Sequence, residues 1–366
     1  MHIAMMGTRG IPARYSGFET CVEELGARLV ERGHQVTVYC RSHHVQLRDP
    51  YYRGMELVRL PTIQNKYLDT IVHTFLSTLH GLFRGYNIVL MFIVGNSLVS
   101  WIPRLTGAKV VLNVDGLDWQ RQKWPALAKK YIRCAEYLAT IVPNVVVTDS
   151  RVIQEYYEHR YGKASLCIAY GSDVLKVSPG KYLSKWGLRP RKYVLFVGRL
   201  VPENCAHHLV EAFSELDTDM KCVIIGDAPY AEEYIRRLKA AAGDSVLFTG
   251  YLFGEGYREL ASHAYAFVET SEVGGTHPAL VEAMAFGNCV VVNDTPQNLE
   301  VIGDAGFCYD GTKGGSSLRQ VLQQLLSDPS IVREYGAKAE VRAAECYSWQ
   351  AVTTQYEELF CALASQ

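Results

Sequence analysis

Two short stretches in the second half of the chain hold side chains suited to gripping a phosphorylated ligand. In Val197-Gly198-Arg199-Leu200 an apolar run ends on an arginine, and Val201-Pro202-Glu203-Asn204 then leads into a helical pattern. An arginine fixed at the carboxyl end of a strand can pair with a diphosphate through two parallel N–H bonds. The second stretch runs Thr270-Ser271-Glu272-Val273-Gly274-Gly275-Thr276-His277-Pro278 and continues as Ala279-Leu280-Val281-Glu282-Ala283-Met284-Ala285-Phe286-Gly287. It reads as strand, Gly-Gly loop and helix, with proline in the first turn of the helix. The free amides of such a helix start attract an anion. Glu282, about one turn inside, is placed to accept hydrogen bonds from paired sugar hydroxyls.

The first loop of the chain carries a weaker signal. Gly7-Thr8-Arg9-Gly10 follows a strand, and Gly17-Phe18-Glu19 opens a helix. This is either a phosphate cradle or a tight turn without a ligand. A dinucleotide fingerprint needs G-x-G-x-x-G running into the helix and an acid ending the second strand. Here the spacing is G-x-x-G, and strand two ends at Cys40-Arg41. Only a reductase using the 2′-phosphorylated cofactor survives from that class, resting on Arg41. Asp115, Asp118, Arg121 and Lys123, interleaved with Trp119 and Trp124, form a group suited to sugar binding or to a solvated loop. Asp217-Thr218-Asp219 has a metal-binding spacing but sits where acids form turns. His207-His208, with no acids or cysteines spaced as co-ligands, reads as a surface pair.

These residues need a frame, and the pattern supplies one. Apolar strand-like runs alternate with helical patterns almost throughout, which implies parallel sheets covered on both faces. The segment from Ser178-Pro179-Gly180 to Leu188-Arg189-Pro190 is polar and turn-rich, as a linker is. At 366 residues the chain fits two domains. The expected division is 1–175, 190–346 and a final helix, 347–366, packing back toward the first domain. Two doubly wound α/β domains facing a cleft would hold a site at the carboxyl ends of their strands.

Bulk properties exclude several classes. The net charge is −1 and the pI about 6.8, so no basic excess points to nucleic acid. Ten cysteines are scattered singly, without a C-x-x-C pair, and read as buried free thiols of a reducing compartment. The chain opens directly on a strand pattern, so no signal peptide is expected. The most apolar stretch, 87–102, is interrupted by Gly95-Asn96 and is too short to span a bilayer. In 67–83 the apolar residues Leu68, Ile71, Val72, Phe75, Leu76, Leu79 and Phe83 recur at helical spacing. Core packing would account for most of that face. Its breadth, with Lys123, Lys129, Lys130 and Arg133 near in sequence, also fits a surface docking on anionic lipid.

Taken together, the G-R-L stretch with its following glutamate, the E-A-M-A-x-G helix and the closing Ser348-Trp349 helix make the chain resemble, over its full length, the retaining GT-B glycosyltransferases of family 4. The block from Met6-Gly7-Thr8-Arg9-Gly10-Ile11-Pro12 to Gly17-Phe18-Glu19-Thr20 is similar to a narrower set, bacterial rhamnosyltransferases of surface-polysaccharide assembly. Asn113-Val114-Asp115-Gly116-Leu117-Asp118-Trp119 and Gly275-Thr276-His277-Pro278 resemble the same set. The resemblance implies a GT-B fold of two Rossmann-like domains and a nucleotide-sugar donor, dTDP-rhamnose, with a UDP- or GDP-sugar as the alternative. The acceptor would be a lipid-linked saccharide. No cofactor and no required metal are expected, and the enzyme would be cytoplasmic, peripheral on the inner membrane face.

Residue by residue, the resemblance implies that Arg199 and Asn204 meet the donor diphosphate together with Gly17, Gly275, Thr276 and His277. It puts Glu282 on the ribose and Glu272, Asp118 or Arg121 near the donor sugar or acceptor. Asp115 and Glu19 are the candidate catalytic groups. The chain departs from the family at several points. Gly274 stands where the first acid of E-x7-E falls, with Glu272 two residues early. Asn204 replaces the usual lysine, Asp115 a common histidine and Ser16 a paired glycine. All these changes concern how the sugar is held and suit a 6-deoxy sugar. A sugar-nucleotide epimerase of the same fold and a non-catalytic nucleotide-sugar binder remain as rivals.

Overall fold

The computed structural model describes residues 1–13, 17–65, 67–121, 124–229 and 231–366. Ser16 and Lys123, singled out above, lie outside the described residues, as do Arg14 and Tyr15. The chain divides into two compact units: Met1–Gly171 with Trp349–Gln366, and Ser172–Ser348.

The first unit is built on an eight-stranded sheet of β1 (His2–Met6), β2 (Gln35–Arg41), β3 (Tyr51–Tyr52), β4 (Met55–Leu60), β5 (Ile88–Phe92), β6 (Lys109–Val114), β7 (Val145–Thr148) and β8 (Leu166–Cys167). The spatial order is β3-β4-β2-β1-β5-β6-β7-β8, parallel except for the β3–β4 pair. Its helices are α1 (Gly17–Glu31), α2 (Asp69–Gly81), α3 (Ala126–Ala139) and α4 (Arg151–Tyr161). Alternate strand residues sort into two cores, as the pleat requires. Ile3, Met5 and Leu90 join the core under α1, while Ala4, Met6, Val89 and Met91 join the opposite one. Burial on both faces explains why these strands read as continuous apolar runs.

The second unit repeats the principle with β9 (Tyr193–Val197), β10 (Lys221–Ile225), β11 (Val246–Gly250), β12 (Ala266–Glu269), β13 (Cys289–Asn293) and β14 (Phe307–Tyr309), all parallel in the order β11-β10-β9-β12-β13-β14. Around it lie α5 (Lys181–Lys185), α6 (Ala206–Ser214), α7 (Glu232–Ala241), α8 (Gly254–His263), α9 (Pro278–Ala285), α10 (Pro296–Ile302), α11 (Gly315–Ser327) and α12 (Pro329–Cys346). The last helix, α13 (Trp349–Ala364), belongs to the first unit and lies along α1. Trp349, Val352, Tyr356 and Phe360 complete the α1-side core, and Asn113 Nδ2 donates to the Tyr356 hydroxyl at 2.7 Å. Glu357 accepts from Arg32 at 2.6 Å and pairs with His34 at 2.8 Å.

Two expectations need correction. The face of α2 turned inward is not the apolar one: His73, Thr74, Ser77, Thr78 and Gly81 are buried, while Phe75 and Leu79 are exposed. The ten cysteines are free, but Cys134, Cys308, Cys346 and Cys361 are exposed rather than buried.

Candidate functional site

In the second unit the residues of interest gather at the carboxyl edge of the sheet. β9 ends at Val197, and Gly198-Arg199 passes so close to β10 that a Cβ on Gly226 would lie 1.8 Å from the Gly198 carbonyl oxygen. That approach, with φ +151° at Gly226, requires glycine there. The Arg199 carbonyl accepts from the Val201 amide at 2.9 Å and from Asn204 Nδ2 at 2.9 Å. The Asn204 side chain thus braces the arginine loop.

The loop after β12 is fixed from both sides. Thr270 Oγ1 donates to the Asn204 carbonyl at 2.5 Å, and the Glu272 amide donates to the Glu203 carbonyl at 3.0 Å. Glu269, buried at the strand end, accepts from the Ser271 amide at 3.0 Å and hydroxyl at 2.5 Å. These bonds join the Arg199 loop to the Gly275 loop, so the two stretches found in sequence form one surface.

His277 is the N-cap of α9, and its own side chain makes no cap hydrogen bond. Its ring folds back over Gly274: a Cβ at 274 would lie 2.6 Å from His277 Cε1 and 2.8 Å from Nε2. The missing acid and the histidine are therefore one feature, since the ring fills the space that a side chain at 274 would take. Gly275 and Thr276 are buried beside it.

Glu282 has a partner that sequence reasoning missed. Tyr257, on α8, donates its hydroxyl to Glu282 Oε2 at 2.5 Å. Burial and the adjacent carboxylate push the Tyr257 phenol well above its ordinary pKa, so it stays a donor. Twenty-five residues separate the pair, and no short motif links them.

His207 and His208 do not form a surface pair. His208 is buried, its Nδ1 3.0 Å from the Tyr309 hydroxyl, and His207 Nδ1 lies 3.0 Å from the Tyr234 hydroxyl. Their ring nitrogens and Cys205 Sγ lie within 4.8 Å of one another, so Cys205 is a neighbour that the spacing argument overlooked. Burial and then Glu272 push the Cys205 thiol upward, and burial lowers His208 to about 4. Asp217-Thr218-Asp219 lies in the loop between α6 and β10, with Asp219 3.3 Å from Lys192. It lines a cavity of about 590 Å³ with Arg191 and Arg333, at the edge of the sheet opposite Arg199.

In the first unit the loop glycines have structural reasons to be glycine. A Cβ on Gly7 (φ +99°) would lie 2.5 Å from the Phe92 carbonyl oxygen, and one on Gly10 (φ +107°) 2.6 Å from Cys40 Sγ. Gly17 is the first residue of α1. Glu19 is only 3% exposed and accepts from the Arg9 amide at 3.0 Å, so its carboxylate braces the loop. That contact gives Glu19 a positioning task in the loop. Asp115 follows β6, half-buried, and its Oδ1 accepts from the Gly116 amide at 2.7 Å. Asp118 and Arg121 pair with each other at 2.7 Å, and Arg121 is buried, so neither is a bare charge offered to a sugar.

Arg41, the cation that a reductase would need, is 3% exposed and held by Asp69 at 2.6 Å and Thr70 Oγ1 at 2.9 Å. That rival loses its footing. A second group of possible metal ligands, His43, His44 and Asp69, shares this same Arg41-bound carboxylate.

Comparison with known proteins agrees with the geometry. Residues 182–342 match the family described as Glycosyl transferases group 1, and residues 86–173 match a domain of unknown function, DUF1972. The O-antigen chain mannosyltransferase B of Escherichia coli is 27% identical over 51% of this chain and 51% of its own length. A Campylobacter jejuni enzyme, N-acetylgalactosamine-N,N'-diacetylbacillosaminyl-diphospho-undecaprenol 4-alpha-N-acetylgalactosaminyltransferase, is 30% identical over 42% of each chain. The chain thus spans about half the length of the curated relatives it matches. Among solved structures, sucrose-phosphate synthase from Thermosynechococcus elongatus matches at a TM-score of 0.81 and 19% identity, over 100% of this chain and 99% of that one. HepE of Anabaena in complex with UDP-glucose gives 0.81 and 17%, over 99% of this chain and 100% of that one. The chain has the GT-B fold, two parallel-sheet Rossmann-like domains, and residues 182–342 of its second unit are similar to the group 1 glycosyl transferases.

Proposed function

We propose that the chain transfers a sugar from a nucleoside diphosphate donor to a hydroxyl of a growing glycan. The observation that carries this reading is the single surface formed at the carboxyl edge of the second sheet. There the Arg199 loop and the Gly275–His277 loop that opens α9 are joined by the Thr270–Asn204 and Glu272–Glu203 bonds, and α9 carries the Tyr257-held Glu282. Departure of a nucleoside diphosphate builds negative charge, which a guanidinium and a helix N-terminus stabilise without reorganising. Glu282 suits the ribose hydroxyls.

The finer assignment is dTDP-rhamnose as donor, transfer with retention, and a lipid-linked saccharide as acceptor in bacterial surface-polysaccharide synthesis at the inner membrane face. The His277 ring over Gly274 supports a donor whose sugar lacks a hydroxyl that the family's acid would hold. The names of the relatives from Escherichia coli and Campylobacter jejuni concern O-antigen and undecaprenol-linked glycans, which agrees with such an acceptor. Asp115 and Glu19 are the candidate catalytic groups of the first unit.

The test is a thermal-shift screen with dTDP-, UDP- and GDP-sugars, followed by turnover of the stabilising donor with Arg199→Ala. A donor bound at a hundred times its Kd stabilises the fold by about 2.7 kcal/mol. The substitution should remove both the shift and the release of nucleoside diphosphate. Unchanged turnover in Arg199→Ala overturns the site.

A further inference from the structure

The start of α6 gathers sulfur and nitrogen donors that the proposed transfer does not use. Cys205 is the N-cap, and His207 and His208 are the second and third residues of the helix. An N-cap side chain turns back over those two residues, which is why three neighbours in sequence converge in space. The Cys205 sulfur and one ring nitrogen from each histidine lie within 4.8 Å of one another. Cys205 and His208 are buried and His207 is half-buried. Cys205 also takes the left-handed conformation, φ +49°, that usually falls to glycine or asparagine. A side chain held in so sparsely populated a backbone region is a mark of a site.

The surroundings suit a bound cation. The Glu272 carboxylate, carried by the loop after β12, lies beside the thiol. Glu272 is exposed, so the group opens to solvent on that side. Cys205 Sγ donates weakly, to the Pro202 carbonyl at 3.4 Å, a bond given up with the proton when a thiolate forms. His207 Nδ1 lies 3.0 Å from the Tyr234 hydroxyl, and His208 Nδ1 lies 3.0 Å from that of Tyr309. Both tyrosines are buried, one on α7 and one on β14. A partner on one ring nitrogen fixes the ring and leaves Nε2 to bind a metal.

The donor set also selects the ion. One thiolate, two neutral imidazoles and one carboxylate carry two negative charges, which a divalent cation cancels, so the group can be buried without net charge. Sulfur with two imidazoles suits the zinc class, whereas magnesium and calcium take oxygen. At bond lengths of about 2.3 Å to sulfur and 2.1 Å to nitrogen, tetrahedral donors stand about 3.5 Å apart. Small side-chain rotations close the present set around an ion. The His43–His44–Asp69 group lacks this logic, because Arg41 already holds its carboxylate.

We propose that Cys205, His207, His208 and Glu272 bind a zinc-class divalent cation that ties the start of α6 to the loop after β12. Binding forms a metal–sulfur bond from the thiolate and releases the thiol proton to solvent. The ion would reinforce the two loops that the Thr270–Asn204 and Glu272–Glu203 bonds already link. Its task is structural, and the site stands whether or not the donor assignment holds.

The experiment is titration of the full chain, stripped with a chelator and kept reduced, with Co2+ as the probe. Bound Co2+ should give a thiolate charge-transfer band in the near ultraviolet and the strong visible bands of a tetrahedral site, and Zn2+ should displace it. Cys205→Ser should abolish the charge-transfer band, while Cys308→Ser, at an exposed thiol of the same unit, should leave it. Tyr309→Phe keeps all four ligands and should weaken cobalt binding by about 10- to 100-fold. Zn2+ should raise the melting temperature of the wild-type chain and not that of Cys205→Ser. Should Cys205→Ser fail to fold, His207→Gln reads the same loss, expected at about tenfold or more. Cobalt spectra are taken without nucleotide-sugar, so failure here and failure of the donor site are distinct results. The absence of a charge-transfer band overturns the proposal. So does a band that survives Cys205→Ser, or histidine and tyrosine variants that bind like wild type.

Discussion

Gly274→Ala separates the packing of the His277 ring over residue 274 from the proposed contact of that ring with the donor phosphate. The added Cβ would lie 2.6 Å from Cε1 and 2.8 Å from Nε2, distances that no carbon contact sustains. The backbone at Gly274 has no positive φ, so alanine is not strained by its own conformation. The obstacle is the far end of a flexible side chain, which can rotate away at a cost of about 0.5–1.5 kcal/mol. Stability should therefore fall by no more than about that amount. Donor affinity should fall further, because a hydrogen bond to a charged phosphate contributes about 1.5–3 kcal/mol, roughly 10- to 150-fold in Kd.

The assay is calorimetric titration of Gly274→Ala, His277→Ala and the double variant with the stabilising nucleotide-sugar, beside urea melts of each. If the alanine acts by displacing the ring, the double variant binds like His277→Ala alone, and the binding effects fail to add. Additive losses, or wild-type affinity in Gly274→Ala, would refute the idea that residue 274 is glycine to make room for the histidine.

Two further outcomes follow from the contacts. Tyr257→Phe removes the donor to Glu282 Oε2 and should raise the donor KM about tenfold with little change in kcat, as read by initial rates. A comparable fall in kcat instead would mean that Glu282 acts on the reacting atoms. Glu357, whose pKa is held below the ordinary carboxylate value by His34 and Arg32, stabilises the α13 contact above the unfolded carboxylate pKa. That contribution is lost as pH falls through the lower folded value. In urea melts from neutral to acid pH, Glu357→Gln should remove up to about 1 kcal/mol at neutral pH and nothing at the acid end. A loss independent of pH would mean that packing, not charge, is what Glu357 supplies.

The sequence alone determined what repeats locally. Alternation of buried strands and helices gave two parallel α/β units, because strand and helix periods are written within a few residues of each other. The placement of Arg199 and Glu282 was equally legible, since a strand end and a helix start are local events. What the tertiary structure decided is which partners meet and which way a face turns. Tyr257 reaches Glu282 only because α8 and α9 are neighbours, and His277 shares a space with Gly274 only once the loop is folded. Glu19 and Asn204, eligible by type for chemistry, also brace backbone, a contact that only the folded loops bring about. The clearest case is α2. Its period announced a helix with an apolar side, but periodicity carries no direction. Hydroxyls that bond their own helix let the polar side go inward, and the apolar side was left facing out.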